Sequence, residues 1–149
     1  APPFADAIPQ AEARAGGGSV GFPFFTVNDG VEVDQVGDWW RVPPPILRRD
    51  GRTQPAKVAV FAMTGDSMEP TILRTDFVFV DTSRRTLEPE GIWAVDYGLG
   101  LTMKRLALKR TSEGPKIILK ADNPSYPDEE YAADELTIVG RYVGRFTVY

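Results

Sequence analysis

The chain has 149 residues, of which 42% are hydrophobic and 26% charged, and it contains neither histidine nor cysteine. This composition predicts one globular domain. The missing residue types exclude disulfide bonds, metal sites built on thiolate or imidazole, and any catalytic triad with a histidine base. A net charge of −4 argues against a nucleic-acid-binding domain, because Lys and Arg contacts to phosphates supply most non-specific affinity.

The rest of the composition points to a soluble protein. No apolar stretch reaches the roughly eighteen residues of a membrane-spanning helix, and no signal-peptide pattern is present. Fourteen glycines and thirteen prolines favour turns and strands over long helices. We therefore expect a cytoplasmic protein with no membrane partner, no metal and no cofactor.

Residues 1–19 have the composition of an arm or linker. They are mostly small, include several prolines and run into three consecutive glycines, so we expect no packed element there. Residues 20–149 are predicted to form the folded domain. Within it, residues 20–55 are a less regular lead-in with weak edge-strand patterns.

From residue 56 onward, short apolar segments recur at a spacing of roughly ten residues, with turn residues between them. This pattern predicts a mainly β domain in which only Met68–Leu73 has room for one or two helical turns. The predicted strands are Val58–Met63, Phe77–Val80, Ile92–Val95, Leu101–Leu108, Ile117–Leu119, Leu136–Val139 and Tyr142–Tyr149.

Ser67 and Lys104 are the candidate catalytic pair. Ser67 lies in the hexapeptide GDSMEP, and Lys104 lies in a predicted strand. Since histidine is absent, a lysine is the natural base for a serine nucleophile. A lysine is protonated at neutral pH and must be desolvated before it can act as a base, which the flanking Leu101, Met103 and Leu106 could achieve.

Both residues also have a simpler interpretation. A serine in a turn is commonly a helix N-cap, and a lysine on a strand is commonly solvated. Strand alternation would place Lys104 on one face with Thr102 and Leu106, and Arg105 on the other. The residues alone leave catalytic and structural roles open.

Six segments of the chain carry a further pattern. They are Thr64–Ile72, Asp76–Asp81, Gly91–Val95, Met103–Leu106, Ala121–Pro127 and Ile138–Arg141. In this order they resemble the LexA-like self-cleaving proteins, a group that includes LexA, the lambdoid phage repressors and the UmuD mutagenesis proteins. The resemblance covers roughly residues 56–149. It departs at Thr75-Asp76, where the family has Gly-Asp, in a turn away from the chemistry.

The resemblance implies a fold and a site. The fold is the LexA-like C-terminal peptidase and dimerisation fold, which is mainly β, with curled antiparallel sheets and little helix. The site is that of a serine peptidase acting on its own chain, with Ser67 as nucleophile and Lys104 as general base. The backbone amides of Asp66 and Ser67 are the implied oxyanion donors.

The family cuts its own chain at an Ala-Gly or Cys-Gly bond upstream of the serine, which makes Ala15-Gly16 the candidate scissile bond. Arg14 departs from the pattern, because LexA-type sites carry a small apolar residue there. The separation from Ser67 is also longer than in LexA. Residues 15–18 could equally be the end of a flexible linker, so self-cleavage stays open.

The implied function is that of the C-terminal dimerisation and self-cleavage domain of a phage-type or LexA-like transcriptional repressor. A helix-turn-helix domain is expected upstream, and DNA would be bound only through it. The implied partners are a second copy of the chain, its own arm as substrate, and a RecA filament or an antirepressor. The alternatives are a non-cleaving dimerisation and inducer-receiving module of a repressor and a UmuD-like polymerase accessory subunit.

The C-terminal segment 140–149 alternates large apolar residues almost to its end. Tyr142, Phe146 and Val148 share one parity, and Val143 and Arg145 share the other. Chain ends fray unless something holds them, so this segment either closes the sheet or packs against a second subunit. LexA-like domains dimerise through their C-terminal region, and the resemblance therefore predicts Tyr142, Phe146 and Val148 as the dimer interface.

Overall fold

The computed structural model describes residues 2–15, 25–26, 30–31, 36–50, 53–87, 91–98 and 100–149. Within these ranges the strands are β1 (Ile8–Ala15), β2 (Phe25–Thr26), β3 (Gly30–Val31), β4 (Val36–Trp40), β5 (Val58–Met63), β6 (Phe77–Asp81), β7 (Ile92–Asp96), β8 (Leu101–Thr111), β9 (Gly114–Lys120), β10 (Glu129–Ala132) and β11 (Thr137–Phe146). One helical turn, α1 (Pro44–Leu47), and 3₁₀ turns at Arg48–Asp50, Pro55–Lys57 and Ala133–Glu135 complete the described elements. None of the helices in the described ranges is long and apolar enough to cross a membrane.

Most of the described strands belong to one sheet, with the order β10-β9-β8-β7-β11-β6-β5-β1-β4, while β2 pairs with β3 separately. Neighbours in the large sheet are antiparallel, except that β1 and β5 are parallel. The predicted mainly β fold class is therefore confirmed.

The sheet buries both of its faces. For this reason its strands include continuous apolar runs instead of alternating apolar and polar residues. Side chains alternate along a strand, so Ala59 and Phe61 of β5 lie in one core cluster while Val58 and Val60 lie in another. The same alternation recurs in β6 and β7. One face carries a single central cluster, and the other carries two smaller clusters, one beside Trp93 and one beside Ile8.

The apolar pattern located most of the strands well. The predicted strand Val58–Met63 coincides with β5, and the next four predicted strands lie within β6, β7, β8 and β9. The two predicted C-terminal segments are instead the single strand β11. The edge strand β10 was missed because its sequence, EEYA, has no apolar run and its residues are exposed or only half-buried. Met68–Leu73, where the sequence left room for one or two helical turns, is not assigned as a helix, but the Ile72 amide donates to the Met68 carbonyl with the spacing of one helical turn.

The prediction of no packed element in residues 1–19 is wrong for β1. This strand lies between β4 and β5, and its Ile8 and Ala11 are buried. At its start, the indole Nε1 of Trp40 donates a hydrogen bond of 2.7 Å to Gln10. A strand with few large apolar residues, such as IPQAEARA, is held mainly by main-chain pairing with its neighbours, which leaves little trace in composition.

The prediction that Tyr142, Phe146 and Val148 share one face is also wrong. The register of β11 against β6 shifts between Tyr142 and Gly144, as in a β-bulge. After the shift, the Phe146 ring contacts Trp40 with the ring centroids 5.6 Å apart. Trp40 packs against the cluster beside Ile8, whereas Tyr142 packs against the central cluster on the opposite face.

Candidate active site

Ser67 lies in the tight segment that follows β5. Gly65 adopts a φ of +76°, which glycine accepts without steric cost and which lets the chain turn sharply at the end of the strand. Met68 and Ile72 are fully buried in the central cluster, and the Ile72 amide donates to the Met68 carbonyl over 2.9 Å. These two buried apolar side chains hold the turn on the core. Ser67, which directly precedes Met68 in the turn, is half-buried.

Lys104 lies in β8, where it pairs with Trp93 of β7. Strand alternation holds as predicted: Lys104 bonds Thr102, and Leu106 packs in the cluster beside Trp93, whereas Met103, which has the parity of Arg105, packs in the central cluster. Lys104 has only 8% of its surface exposed, although it is a charged residue type. Such burial requires partners for the ammonium.

The structure brings the two candidate side chains together. Lys104 Nζ donates a hydrogen bond of 2.8 Å to Ser67 Oγ and one of 3.0 Å to Thr102 Oγ1. Burial lowers the pKa of Lys104 because it removes water from the charged form, while the negative charge of Glu129 acts in the opposite direction. A partly desolvated lysine at this distance from a serine hydroxyl has the geometry of a base beside its nucleophile.

The pair opens into a cavity of about 320 Å³. Its lining residues are Gly65, Asp66, Ser67, Tyr97, Thr102, Lys104, Tyr126, Pro127 and Glu129. Sequence reasoning missed Tyr97, Tyr126 and Glu129 as parts of the site. No spacing rule could have found Glu129, because it lies on the short edge strand β10 and reaches the cavity only through the sheet order.

The segment 121–127 packs directly behind the nucleophile turn. Asn123 Nδ2 donates to the Asp66 carbonyl over 3.0 Å, and the Asn123 main-chain N–H donates to the Ser67 carbonyl over 3.0 Å. Tyr126 donates its hydroxyl proton to an Asp66 carboxylate oxygen at 2.5 Å. This bond raises the pKa of Tyr126. The sequence resemblance included this segment but assigned no role to it.

A second bridge between the same two segments runs through Asp122. Its carboxylate accepts a bidentate pair of hydrogen bonds from Arg105, at 2.6 and 3.1 Å, and a bond of 2.5 Å from Thr71 Oγ1. Burial alone would raise the pKa of Asp122, but the hydrogen bonds from Arg105 and Thr71 outweigh it and lower that pKa. Asp122 is therefore held as an anion that links β8 to the nucleophile turn.

The predicted oxyanion donors lie at the cavity wall. Asp66 and Ser67 both line the cavity, and in the described part of the chain neither main-chain N–H donates a hydrogen bond to another residue. The role of these two amides as oxyanion donors stays a prediction. The described residues contain no group of three or more acidic side chains placed to hold a metal ion.

Only one of the two residues of the candidate scissile bond lies in the described part of the chain. Ala15 is the last residue of β1, and its backbone aligns with Met63 at the end of β5. Gly16 lies outside the described residues. β1 thus runs beside the strand that leads into Ser67, and it also approaches β8, the strand of Lys104.

The three residues predicted for the dimer interface differ in their exposure. Phe146 is 48% exposed and Val148 is 68% exposed, whereas Tyr142 is half-buried against the central cluster. Burial also raises the pKa of the Tyr142 hydroxyl. Of the three, Phe146 and Val148 are the ones that another molecule could reach.

Comparison with known proteins gives one matching family and two similar repressor proteins. Residues 19–143 match the family described as Peptidase S24-like. The chain is 31% identical over 119 residues to the repressor protein CI of Enterobacteria phage phi80, a match that covers 78% of this chain and 49% of the relative. It is also 31% identical over 102 residues to the 26 kDa repressor protein of Escherichia phage HK022, covering 66% of this chain and 41% of that protein. The matched region spans less than half the length of each of these curated relatives.

Proposed function

Because the chain belongs to the Peptidase S24-like family, we propose that it is the C-terminal dimerisation and self-cleavage domain of a LexA-like, phage-type transcriptional repressor. The observation that carries the proposal is the 2.8 Å hydrogen bond between Lys104 Nζ and Ser67 Oγ at the wall of a cavity. The names of the two phage relatives support the repressor role. DNA binding would then belong to a part of the protein outside this chain, and we expect the protein in the cytoplasm.

In the proposed reaction, Ser67 Oγ attacks the carbonyl carbon of Ala15 while its proton passes to Lys104 Nζ. An O–C bond forms, and the carbonyl electron pair moves onto the oxygen, which the amides of Asp66 and Ser67 stabilise. Collapse of this intermediate breaks the bond to Gly16, and Lys104 returns the proton to the leaving nitrogen. Water then hydrolyses the ester at Ser67 and restores the hydroxyl.

The path of β1 supports an intramolecular reaction. The arm is a strand of the same sheet, and its last residue, Ala15, aligns with Met63, four positions before Ser67. For the candidate bond to enter the cavity, Ala15 itself has to move from its position beside Met63 to Ser67 Oγ. Holding the substrate in the same molecule gives a high effective concentration.

Incubation at about pH 10, near the ordinary pKa of lysine, tests the proposal. We expect release of an N-terminal peptide that ends at Ala15, identified by mass spectrometry. Ser67→Ala and Lys104→Ala should abolish the release. The exposed residues Ser112 and Lys109 offer matched controls, and Ser112→Ala and Lys109→Ala should cleave like the wild type.

A folded wild-type chain that stays intact at this pH contradicts the peptidase role. It would leave the non-cleaving dimerisation and inducer-receiving module as the function.

A separate experiment distinguishes the two proposed inducing partners: a RecA filament or an antirepressor is added at neutral pH. The one that accelerates cleavage, or that changes the oligomeric state of an uncleaved chain, is the inducer.

We also propose that the chain forms a two-fold dimer through the exposed C-terminal residues. Phe146, Val148 and Tyr149 lie together in sequence and are exposed by 48%, 68% and 101%. A dimer would bring two DNA-binding domains to two half-sites, and cutting the arm would separate those domains from the dimer.

A further inference from the structure

We propose that Asn123 is a positioning residue that aims the main-chain N–H of Ser67 at the oxyanion formed during peptide-bond cleavage. The inference rests on the proposed peptidase function. It concerns a residue that contributes no group to proton transfer. Its basis is the pair of hydrogen bonds by which Asn123 holds the peptide units on both sides of Ser67.

The first bond fixes the peptide unit that carries the Ser67 amide. Asn123 Nδ2 donates to the Asp66 carbonyl oxygen over 3.0 Å. In the described residues only Glu69-Pro70 is cis, so the Asp66-Ser67 unit is trans and planar, with its C=O and N–H pointing in opposite directions. Holding the Asp66 carbonyl towards Asn123 therefore holds the Ser67 N–H on the opposite side.

The second bond fixes the following peptide unit. The Asn123 main-chain N–H donates to the Ser67 carbonyl over 3.0 Å. With the units on both sides held, the two backbone dihedral angles of Ser67 cannot drift independently. The Ser67 side chain, which accepts from Lys104, and the Ser67 amide are thereby kept in one fixed relation.

Asn123 is itself held in the correct orientation. Its Oδ1 accepts the main-chain N–H of Ser125 over 3.0 Å, while its Nδ2 donates to a carbonyl. Exchanging the two amide atoms would break both bonds, so only one orientation of the side-chain amide satisfies the network. A carboxylate at this position would keep the bond to Ser125 and lose the bond to Asp66.

The absence of cysteine from the chain allows an experiment that separates amide positioning from the Ser67–Lys104 contact. A fluorophosphonate probe reacts with Ser67 by forming an O–P bond and expelling fluoride, and its phosphoryl oxygen needs the oxyanion donors. In the Ser67→Cys variant the chain has a single thiol, and iodoacetamide alkylates it by expelling iodide with no oxyanion involved. The two rates report on different parts of one site.

We expect Asn123→Asp to slow phosphonylation of Ser67 by about a hundredfold, the loss that follows from misplacing an oxyanion donor. Asn123→Ser, which lacks the charge, should act in the same direction. In the Ser67→Cys background the uncharged substitution Asn123→Ser should leave alkylation by iodoacetamide, and the pH at its midpoint, unchanged. Thr71→Val is the matched control, because it removes another bridge between the same two segments without touching the carbonyls of Asp66 or Ser67.

Three results would overturn the inference: equal loss of both reactions, no loss of phosphonylation, or a wild-type Ser67 that the probe does not label. An equal loss would mean that Asn123 only supports the local fold. Self-cleavage is measured in parallel. A wild type that labels normally but never cuts its arm would refute the proposed self-cleavage and leave the role of Asn123 standing.

Discussion

The ammonium of Lys104 is subject to two opposing effects at the residue scale. Burial disfavours its charged form, and the carboxylate of Glu129, which lines the same cavity, favours it. Burial is the larger effect, so the pKa of Lys104 is lower than that of an exposed lysine. The fraction of neutral lysine, and with it the rate of the proposed reaction, should rise with pH.

Replacing Glu129 with glutamine should move the pH–rate profile to lower pH. The substitution removes a negative charge that stabilises the protonated lysine, so the pKa of Lys104 falls further and more neutral lysine is present at pH 7. Cleavage rates measured across a pH series give the midpoint directly. Glu130→Gln is the control, because Glu130 pairs with Lys109 at 3.4 Å and does not line the cavity. An unmoved midpoint in Glu129→Gln would contradict the proposed effect of Glu129 on the pKa of Lys104.

Lys104→Met should stabilise the protein at neutral pH. A folded-state pKa below the unfolded value means that the buried ammonium costs free energy at all pH values below the folded pKa. That cost disappears as the pH rises from the folded pKa to the unfolded value of about 10.4. Urea unfolding should therefore show the advantage of Lys104→Met shrinking over this pH window. Lys109→Met, at an exposed position, is the matched control for replacing a lysine by methionine. An advantage of Lys104→Met that is independent of pH would contradict the prediction.

At the scale of the element, β11 is the strand that joins the two halves of the sheet. It pairs with β7 on one side and β6 on the other, and its register shifts once against each of them. Gly140 lies at the first shift and Gly144 at the second. The two glycines share one strand but differ in the space around them.

Gly140→Ala should destabilise the fold by about 1–3 kcal/mol, the usual cost of overpacking a core. A Cβ at Gly140 would lie 2.5 Å from the main-chain oxygen of Asp81 and 2.7 Å from a methyl carbon of Val80. Gly144→Ala is the matched control, since nothing lies within 4 Å of its Cβ position. Thermal or urea unfolding compares the two, and equal stability of both variants would refute the packing argument.

At the scale of the whole molecule, the C-terminal tail is tied to the region of the nucleophile. The buried carboxylate of Asp76 accepts hydrogen bonds from the Leu73 amide, at 2.8 Å, from Arg145, at 3.1 Å, and from Thr147, at 2.6 Å. These bonds hold the backbone up to Thr147. Val148 and Tyr149 follow at once and are exposed.

Val148→Asp should convert the proposed dimer into a folded monomer. In a two-fold interface the new charge meets its own copy, and facing like charges cost several kcal/mol, so the dissociation constant should rise by about a hundredfold or more. Val148 suits this test better than Phe146, whose ring also contacts Trp40 within the chain. Analytical ultracentrifugation gives the oligomeric state. Leu108→Asp, at another exposed apolar residue, on β8, should leave the dimer intact, and loss of the dimer there as well would point to a non-specific effect.

The strands could be predicted from the sequence because they depend on local apolar patterns. The residues alone left the roles of Ser67 and Lys104 open, and the resemblance of the segments around them singled out the pair. Apolar runs such as Val58–Met63 form strands that are buried on both faces, and the absence of histidine left Lys104 as the natural base for Ser67. The sequence therefore determined the mainly β class, the strand boundaries near the site and the chemistry open to the pair.

Only the tertiary structure decided the features that depend on which strands become neighbours. β1 is a strand because main-chain pairing with β4 and β5 holds it, Glu129 reaches Lys104 through the order of the sheet, and Asn123 reaches Ser67 across a gap of more than fifty residues. The bulge in β11 reversed the parity that alternation predicted for Phe146. Each of these results follows from non-local main-chain hydrogen bonds, whose partners are set by the assembled sheet and not by the composition of either segment.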